Sequence, residues 1–217
     1  MTCFPVFWKL AGRQVLICGG GSEALAKIEK LRPFGAELHI FSAHLCREIL
    51  DMKDITAEGR ALAAEDLHRP AFVVAAEDPE ENRRIAALCR EKNIPVNAVD
   101  QPELCDFYFP ACFTAGELSV GVSSSGVSPT AAVALRDRFR DSLPEHAVEI
   151  LDSLPEARQW LRSRCSGKEE LHRALRCAAE AAFEKDRPLT ETELEACLKA
   201  AGTGTECGET GMAEAFR

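Results

Sequence analysis

The sequence has no long apolar run and no excess of positive charge, and these absences exclude several classes of protein. No stretch approaches the roughly 20 apolar residues that span a bilayer, which excludes a membrane-spanning protein. The N-terminus, MTCFPVFWKLAGRQ, lacks the features of a secretory signal. Aspartate and glutamate (35) outnumber lysine and arginine (26), and the net charge of −9 disfavours non-specific binding to nucleic acid or anionic membranes.

Paired cysteines are also missing, although the chain contains ten cysteines. No two of them form a C-x-x-C pair, so a zinc ribbon or a thioredoxin-like motif is unsupported, and no metal-ligand cluster of fixed spacing occurs. Most of the cysteines lie in apolar stretches. We therefore expect small buried side chains in a reducing, cytoplasmic chain without a resident metal.

What the sequence does contain is a globular composition, with 46% hydrophobic and 28% charged residues over 217 positions. Up to about residue 112, short β-like runs alternate with helical stretches. The predicted strands lie at 15–18, 38–41, 72–76 and 95–99. Continuous apolar runs are typical of strands buried on both faces of a parallel sheet, so the pattern predicts an α/β, Rossmann-type domain.

The helix after the third of these strands is well marked at its start. Asp78 can cap it, Pro79 suits its first position, and Glu81 stands where a capping-box acid would. Asn93 marks its end.

The pattern changes after about residue 110. Residues 118–122 alternate with period two, as in a half-exposed strand, and Ser128-Pro129 opens an amphipathic helix. From about residue 145 the chain is predicted to be all-helical. The predicted helical segments lie near 145–164, 168–185 and 190–201. The last should stop at Gly202, and the Gly-rich tail over 202–217 is expected to be frayed.

The sharpest local motif is the turn Gly19-Gly20-Gly21-Ser22-Glu23-Ala24, which follows a predicted strand and precedes a predicted helix. In this G-x-G-x-x-A pattern, Gly19 makes a tight turn, Gly21 lets the backbone approach a pyrophosphate, and the small Ala24 lets the helix pack on the strand. The N–H groups at the helix start, at Ser22 and Glu23, favour phosphates together with the helix dipole. The sequence therefore predicts a dinucleotide site, the alternative being a turn that only connects strand to helix.

An acidic residue is missing about 20 positions further on, where it would bind the ribose hydroxyls. The second predicted strand ends in Phe41-Ser42-Ala43-His44 instead. Ser42, or backbone groups of Ala43 and His44, can substitute for the acid. No clear arginine marks a 2′-phosphate site there either, so we expect NAD as the cofactor.

Further motifs follow in a fixed order along the chain. They are F-P-V-F near the start, the glycine turn, Asn82, I-P-V-N-A-V-D over 94–100, L-C-D-F over 104–107, Phe109-Pro110 and S-S-S-G-V-S-P over 123–129. Together they resemble the siroheme synthase N-terminal module, the family of precorrin-2 dehydrogenases and sirohydrochlorin ferrochelatases. The resemblance covers about residues 3–142. The remaining part shares with the family only its helical character, without matching motifs.

The resemblance implies an oxidoreductase of siroheme biosynthesis that oxidises precorrin-2 to sirohydrochlorin with NAD⁺. Some members of the family also insert Fe²⁺ into sirohydrochlorin. An intertwined homodimer is implied as well. The expected parts are an NAD-binding Rossmann domain over 1–112, a swapped α/β dimerisation segment over 113–143 and a small helical domain over 144–217.

Three site residues are carried over from the family by position. Asp100 falls on the key catalytic carboxylate; it follows a predicted parallel strand, where it can accept a proton from the tetrapyrrole, and a turn-forming aspartate is the alternative. Ser124 aligns with a serine near the tetrapyrrole site, with plain turn chemistry as the alternative. His146 can be a proton acceptor or a transient metal contact, or else a surface or capping histidine.

Several positions depart from the family pattern. Glu77 replaces a threonine near the cofactor, Ser125 replaces a glycine, and Ala26 stands beside Lys27 in place of a basic pair. The unusual Ser22-Glu23, together with Ala26 and Glu77, motivates a second hypothesis, a non-catalytic dinucleotide- or tetrapyrrole-binding carrier or redox sensor. A chelatase that has lost the dehydrogenase activity is a third.

Overall fold

The computed structural model describes residues 3–203, which divide into two units. Cys3–Phe109 forms the first unit, and the second starts at Pro110. From residue 204 onward, the tail predicted to be frayed lies outside the described residues.

The first unit is built on an entirely parallel five-stranded sheet in the order β3-β2-β1-β4-β5. The strands are β1 (Gln14–Cys18), β2 (Glu37–Phe41), β3 (Thr56–Glu58), β4 (Phe72–Ala75) and β5 (Val96–Ala98). All four residues of β4 are buried. Such strands pack on both faces, which explains their continuous apolar sequence.

Helices cover the two faces of this sheet. They are α1 (Ser22–Leu31), the short α2 (Arg47–Leu50) and α3 (Pro79–Glu91). Ile28 of α1 packs in one cluster with Ile17 and Val74, whereas Ile85 of α3 packs in the other with Leu16. Alternate residues of the central strands therefore contribute to different halves of the core.

The start of α3 is as predicted. Pro79 is its first residue, and the Asp78 carboxylate accepts hydrogen bonds from the N–H groups of Glu80 and Glu81 at 2.9 and 3.0 Å. The chain leaves the helix through Asn93, which has a left-handed φ of 54°.

The register of the sheet aligns the strand ends. The last residue of β1 pairs with the last residues of β2 and β4, and the last residue of β4 pairs with that of β5. The residues that follow these strands therefore meet at one carboxyl edge: Gly19, Ser42, Ala76 and Val99. In open α/β sheets, ligands bind at the loops of this carboxyl edge.

The second unit begins with an antiparallel hairpin and continues as helices. Its elements are β6 (Ala111–Ala115), β7 (Leu118–Val122), α4 (Pro129–Asp141), α5 (Ala147–Arg162), α6 (Lys168–Glu184) and α7 (Glu191–Thr203). Helix α4 packs on the hairpin, and α5 to α7 share a core that includes Leu161, Ala178 and Leu194. Ser128 caps α4 by accepting the N–H of Ala131 at 3.2 Å.

Most predicted elements are confirmed, the strands to within one residue at each end. The stop predicted at Gly202 is wrong, because Gly202 does not adopt the left-handed φ of a glycine stop and α7 includes Thr203. Strands β3 and β6 and the single turn of α2 were not predicted. The three residues of β3, Thr-Ala-Glu, have too little apolar pattern to mark an edge strand.

Candidate functional site

The glycine turn lies at the carboxyl edge between β1 and α1, and its three glycines meet different surroundings. A Cβ atom on Gly19 would lie 2.5 Å from the carbonyl oxygen of Ala76, and one on Gly20 would lie 1.9 Å from the carbonyl oxygen of His44. A Cβ atom on Gly21 would meet nothing within 4 Å. Close backbone packing therefore requires the first two glycines, whereas Gly21 faces open space.

The start of α1 offers hydrogen-bond donors to this space. Gly21 is the N-cap residue, and no side chain caps the helix. Ser22 and Glu23 are exposed, while Ala24 is fully buried against the sheet. Free N–H groups and the positive end of a helix dipole favour a phosphate at such a position.

An open cavity of about 500 Å³ lies over the turn. The residues that line it are Gly20, Gly21, Ser42, His44, Leu45, Cys46, Ala76 and Glu77. They come from the loops after β1, β2 and β4, so the cavity occupies the carboxyl edge of the sheet. This is the expected place for a dinucleotide in a Rossmann-type fold.

A hydrogen bond links two of these loops across the cavity. The buried Ser42 hydroxyl donates to Oε1 of Glu77 at 2.7 Å and accepts the N–H of His44 at 3.3 Å. The backbone N–H of Glu77 donates to Oδ1 of Asn82 at 3.0 Å, and Asn82 is buried. Glu77 is thus held at both its backbone and its side chain.

The structure brings together part of the predicted cofactor set. Gly21, Ser42 and His44 line the cavity, and Ala43 is exposed between the last two. Gly19 shapes the turn without lining the cavity. Glu77 also lines the cavity, but the sequence analysis noted it only as a departure from the family pattern and did not assign it to the site. Its place two residues after β4, at the carboxyl edge of the sheet, is the signal that could have assigned it to the site.

Asp100 lies two residues beyond β5, at the same edge of the sheet. Its φ of 58° is in the left-handed region, which aspartate tolerates better than most residues. The side chain is exposed and its carboxylate makes no hydrogen bond or ion pair with any residue of 3–203. A free carboxylate at this edge is available to accept a proton.

The loop that holds Asp100 is fixed by Cys105. The Cys105 sulfur lies 3.2 Å from both the N–H and the carbonyl oxygen of Ala98. Burial raises the pKa of the Cys105 thiol, with smaller contributions from nearby acids. A protonated, hydrogen-bonded thiol positions the loop and is a poor metal ligand.

Ser124 lies in the second unit, in the turn between β7 and α4. Its hydroxyl oxygen accepts the N–H of Ser128 at 3.0 Å, so it organises the turn and keeps its own proton free to donate. The next residue, Ser125, has a φ of 52°, and Gly126 has a φ of 85°. Ser125 therefore occupies a conformation that glycine adopts at lower cost.

His146 also lies in the second unit, immediately before α5. Its backbone N–H donates to Oδ1 of Asp186 at 3.0 Å, and its ring Nδ1 lies 3.4 Å from Oδ2 of the same residue. The hydrogen bond to Asp186 raises the pKa of His146, and the pKa of Asp186 is lowered in turn. The pair fixes the start of α5 and keeps the ring charged to higher pH.

The cysteines of the described part are mostly free thiols. Eight of them are free, including the buried Cys18, Cys89 and Cys197. Burial raises the pKa of Cys18, directly before the glycine turn, well above its ordinary value, and raises that of Cys89 to about 12. These two thiols are unreactive packing groups.

Two features are absent from residues 3–203. No group of three or more His, Cys, Asp or Glu side chains is arranged to hold a metal ion. Among the same residues, no helix has both the length and the apolar character needed to cross a membrane.

Comparison with known proteins places these features in context. Residues 6–111 match the family described as "Putative NAD(P)-binding". The siroheme synthase of Thioalkalivibrio sulfidiphilus is 40% identical over 148 residues, which are 66% of this chain and 30% of that protein. The siroheme synthase of Ectopseudomonas mendocina is 39% identical over 148 residues, 66% of this chain and 32% of that protein. The chain thus spans about a third of the length of the curated relatives it matches.

A solved structure has the same fold. That structure is "SirC, precorrin-2 dehydrogenase", which superposes on this chain with a TM-score of 0.64 at 21% identity, covering 93% of this chain and 100% of SirC. The shared fold includes both the parallel sheet and the helical region that follows it.

Proposed function

The chain belongs to the family of the siroheme synthase N-terminal module, and on that premise we propose that it is an NAD-dependent precorrin-2 dehydrogenase. The observation that carries the proposal is the cavity at the carboxyl edge of the sheet, bounded by the open glycine Gly21 and the Ser42–Glu77 pair. A product of this reaction, sirohydrochlorin, is the precursor into which iron is inserted to make siroheme.

The residues at the cavity fit a dinucleotide. The missing side chain of Gly21 leaves room for a pyrophosphate, and the N–H groups of Ser22 and Glu23 can donate to it. Ser42, Ala43 and His44 follow β2, where a ribose is bound in this class of fold. When bound, NAD⁺ supplies the oxidising power by accepting a hydride.

Asp100 is the proposed general base. Oxidation of precorrin-2 to sirohydrochlorin removes two hydrogens, one as a hydride that reduces NAD⁺ to NADH and one as a proton. The exposed Asp100 carboxylate, which has no partner among residues 3–203, is suited to take that proton. Ser124, whose hydroxyl proton is free, would donate a hydrogen bond to the substrate, and His146 would act as a second proton acceptor.

A homodimer is part of the proposal. Helix α4 exposes Val133, Leu135 and Phe139, which are 41, 44 and 38% accessible, and buries only Ala132. Apolar residues exposed together along a helix favour contact with another chain. We therefore keep the division into a cofactor domain over 1–112, a swapped dimerisation segment over 113–143 and a helical domain over 144–217.

Insertion of Fe²⁺ into sirohydrochlorin would be a second activity of the same protein. Iron would be a substrate here, so a tight cluster of ligands is not required for its transfer. Asp100 could serve in this step as well, by removing pyrrole N–H protons. The eight free thiols support a reducing, cytoplasmic location.

The proposal is tested by incubating the purified protein with precorrin-2 and NAD⁺. We expect NADH absorbance to grow with the spectrum of sirohydrochlorin, and neither to grow when NAD⁺ is omitted. If the folded protein forms no NADH, the proposed dehydrogenase activity is overturned.

The same preparation distinguishes the other hypotheses. Calorimetric binding of NAD⁺ or sirohydrochlorin without turnover would favour a carrier or redox sensor. Metal insertion into supplied sirohydrochlorin without NAD⁺ would identify a chelatase that has lost the dehydrogenase activity.

A further inference from the structure

The cavity contains a carboxylate where the local sequence has none. Dinucleotide-binding folds commonly use an acidic residue at the end of the second strand to hold the ribose hydroxyls. Here that strand, β2, is followed by Ser42. The Glu77 carboxylate reaches the same point from β4, as its Oε1 lies 2.7 Å from the Ser42 hydroxyl.

We propose that Glu77 supplies the ribose-binding carboxylate of this site and makes it selective for NAD⁺ over NADP⁺. The inference rests on the proposed use of a nicotinamide dinucleotide and deepens it. The selectivity would come from a residue distant in sequence from the usual position, because β4 and β2 flank β1 and end at the same edge of the sheet.

The contacts of Glu77 position it for this role. The hydrogen bond from its N–H to the buried Asn82 fixes the backbone, and the Ser42 hydroxyl orients one carboxylate oxygen. The other oxygen, Oε2, makes no hydrogen bond with any residue of 3–203 and remains available to accept from a ribose hydroxyl. A carboxylate held in this way can bind a diol without rearranging.

The charges around the cavity favour the same choice. Neither lysine nor arginine is among the lining residues, and His44 is the one imidazole there. The arginine that follows β3, Arg60, is engaged by Asp66 through two hydrogen bonds of 2.7 Å and by Glu58 at 2.6 Å. The 2′-phosphate of NADP⁺ would therefore be repelled by the Glu77 carboxylate, and Arg60 would not be free to neutralise its charge.

The experiment measures the binding of NAD⁺ and NADP⁺ by calorimetry to the full chain and to three variants. Glu77→Gln removes the charge and keeps the shape. Glu77→Asp keeps the charge and shortens the side chain. Glu80→Gln is the matched control, since Glu80 is exposed on α3, lies outside the cavity lining and also removes one negative charge. Circular dichroism confirms that each variant is folded.

We expect the unmodified chain to bind NAD⁺ more tightly than NADP⁺. Glu77→Gln should lower the affinity for NAD⁺ about tenfold or more, and it should reduce the preference for NAD⁺ over NADP⁺ by at least the same factor. Glu77→Asp should retain the rejection of NADP⁺, and Glu80→Gln should change neither affinity. If the Gln variant keeps both its NAD⁺ affinity and its preference, the role of Glu77 is refuted while the dehydrogenase stands. If the unmodified chain binds neither dinucleotide, both proposals fail.

Discussion

The two units hold their candidate groups in different ways. In the first, Gly21, Ser42 and Glu77 follow mostly buried parallel strands, and hydrogen bonds with the buried Ser42 and Asn82 hold Glu77 in place. In the second, Ser124 is held by a local turn and His146 by one partly exposed partner, Asp186.

We propose that this difference corresponds to a division between cofactor binding in the first unit and substrate binding in the second. A site built on strand ends inherits the rigidity of the core, which suits a ligand that must be bound in one orientation. Groups held by local turns adjust at low cost, which suits a large macrocycle that has to enter and leave. Variants of the two units test whether the binding of NAD⁺, catalysis and local stability separate along these lines.

The largest effect is expected at Asp100, which should matter for turnover and not for cofactor binding. Asp100→Asn keeps a residue that tolerates the left-handed φ of 58° but removes the base. We expect kcat to fall about 100-fold or more, with the Kd for NAD⁺ unchanged within about twofold. Steady-state NADH formation and calorimetry make the two measurements.

Glu103→Gln is the control for this variant, as Glu103 is an exposed acid in the same loop. Full activity of Asp100→Asn, or an equal loss in Glu103→Gln, would remove Asp100 from the mechanism.

The next largest effects are expected at Gly20 and Gly21, where the same substitution should have different consequences. Gly20→Ala would place a Cβ atom 1.9 Å from a backbone oxygen, so it should destabilise the fold by about 3 kcal/mol. Gly21→Ala meets nothing within 4 Å, so it should fold normally but weaken NAD⁺ binding about 10- to 100-fold by occupying the place of the pyrophosphate.

Thermal unfolding and calorimetry on both glycine variants check this pair. Normal NAD⁺ affinity in a folded Gly21→Ala protein would show that the cofactor lies elsewhere.

A smaller effect is expected in the second unit at Ser125. Since Ser125 adopts a φ of 52°, Ser125→Gly should relieve local strain and stabilise the protein by about 1 kcal/mol or less. NAD⁺ affinity should not change. Chemical denaturation gives the stability, and a loss of stability would show that the serine makes a contact worth more than the strain.

The smallest effect is a pH dependence from His146. Because its folded-state pKa is raised above the ordinary 6.5, the His146–Asp186 pair stabilises the protein fully below pH 6.5 and loses this contribution as the pH rises through the folded-state pKa. His146→Gln should therefore flatten the fall of the unfolding temperature with rising pH in that window. An identical slope in both proteins would show that the pair contributes nothing.

The sequence predicted the first unit in more detail than the contacts of its site. The glycine turn and the Asp78–Pro79 start of α3 depend on local backbone requirements, so they could be predicted from short motifs. The contact between Ser42 and Glu77 joins residues 35 positions apart. It depends on the order of strands in the sheet, which no local pattern determines.

In the second unit, the sequence predicted the helices but not the contacts between them. The helices were predicted from apolar periodicity and found within about two residues of their predicted ends. The partner of His146 was not predicted, because Asp186 lies in the loop after α6 and nothing in its local sequence marks a pairing with a residue 40 positions earlier.

The most direct test of the account is the stoichiometry of the reaction with precorrin-2 and NAD⁺. We predict that the folded chain forms one NADH for each sirohydrochlorin, measured in the same cuvette. Tight NAD⁺ binding without formation of either product would contradict the account, because the cavity would then hold a cofactor that the protein does not use for this oxidation.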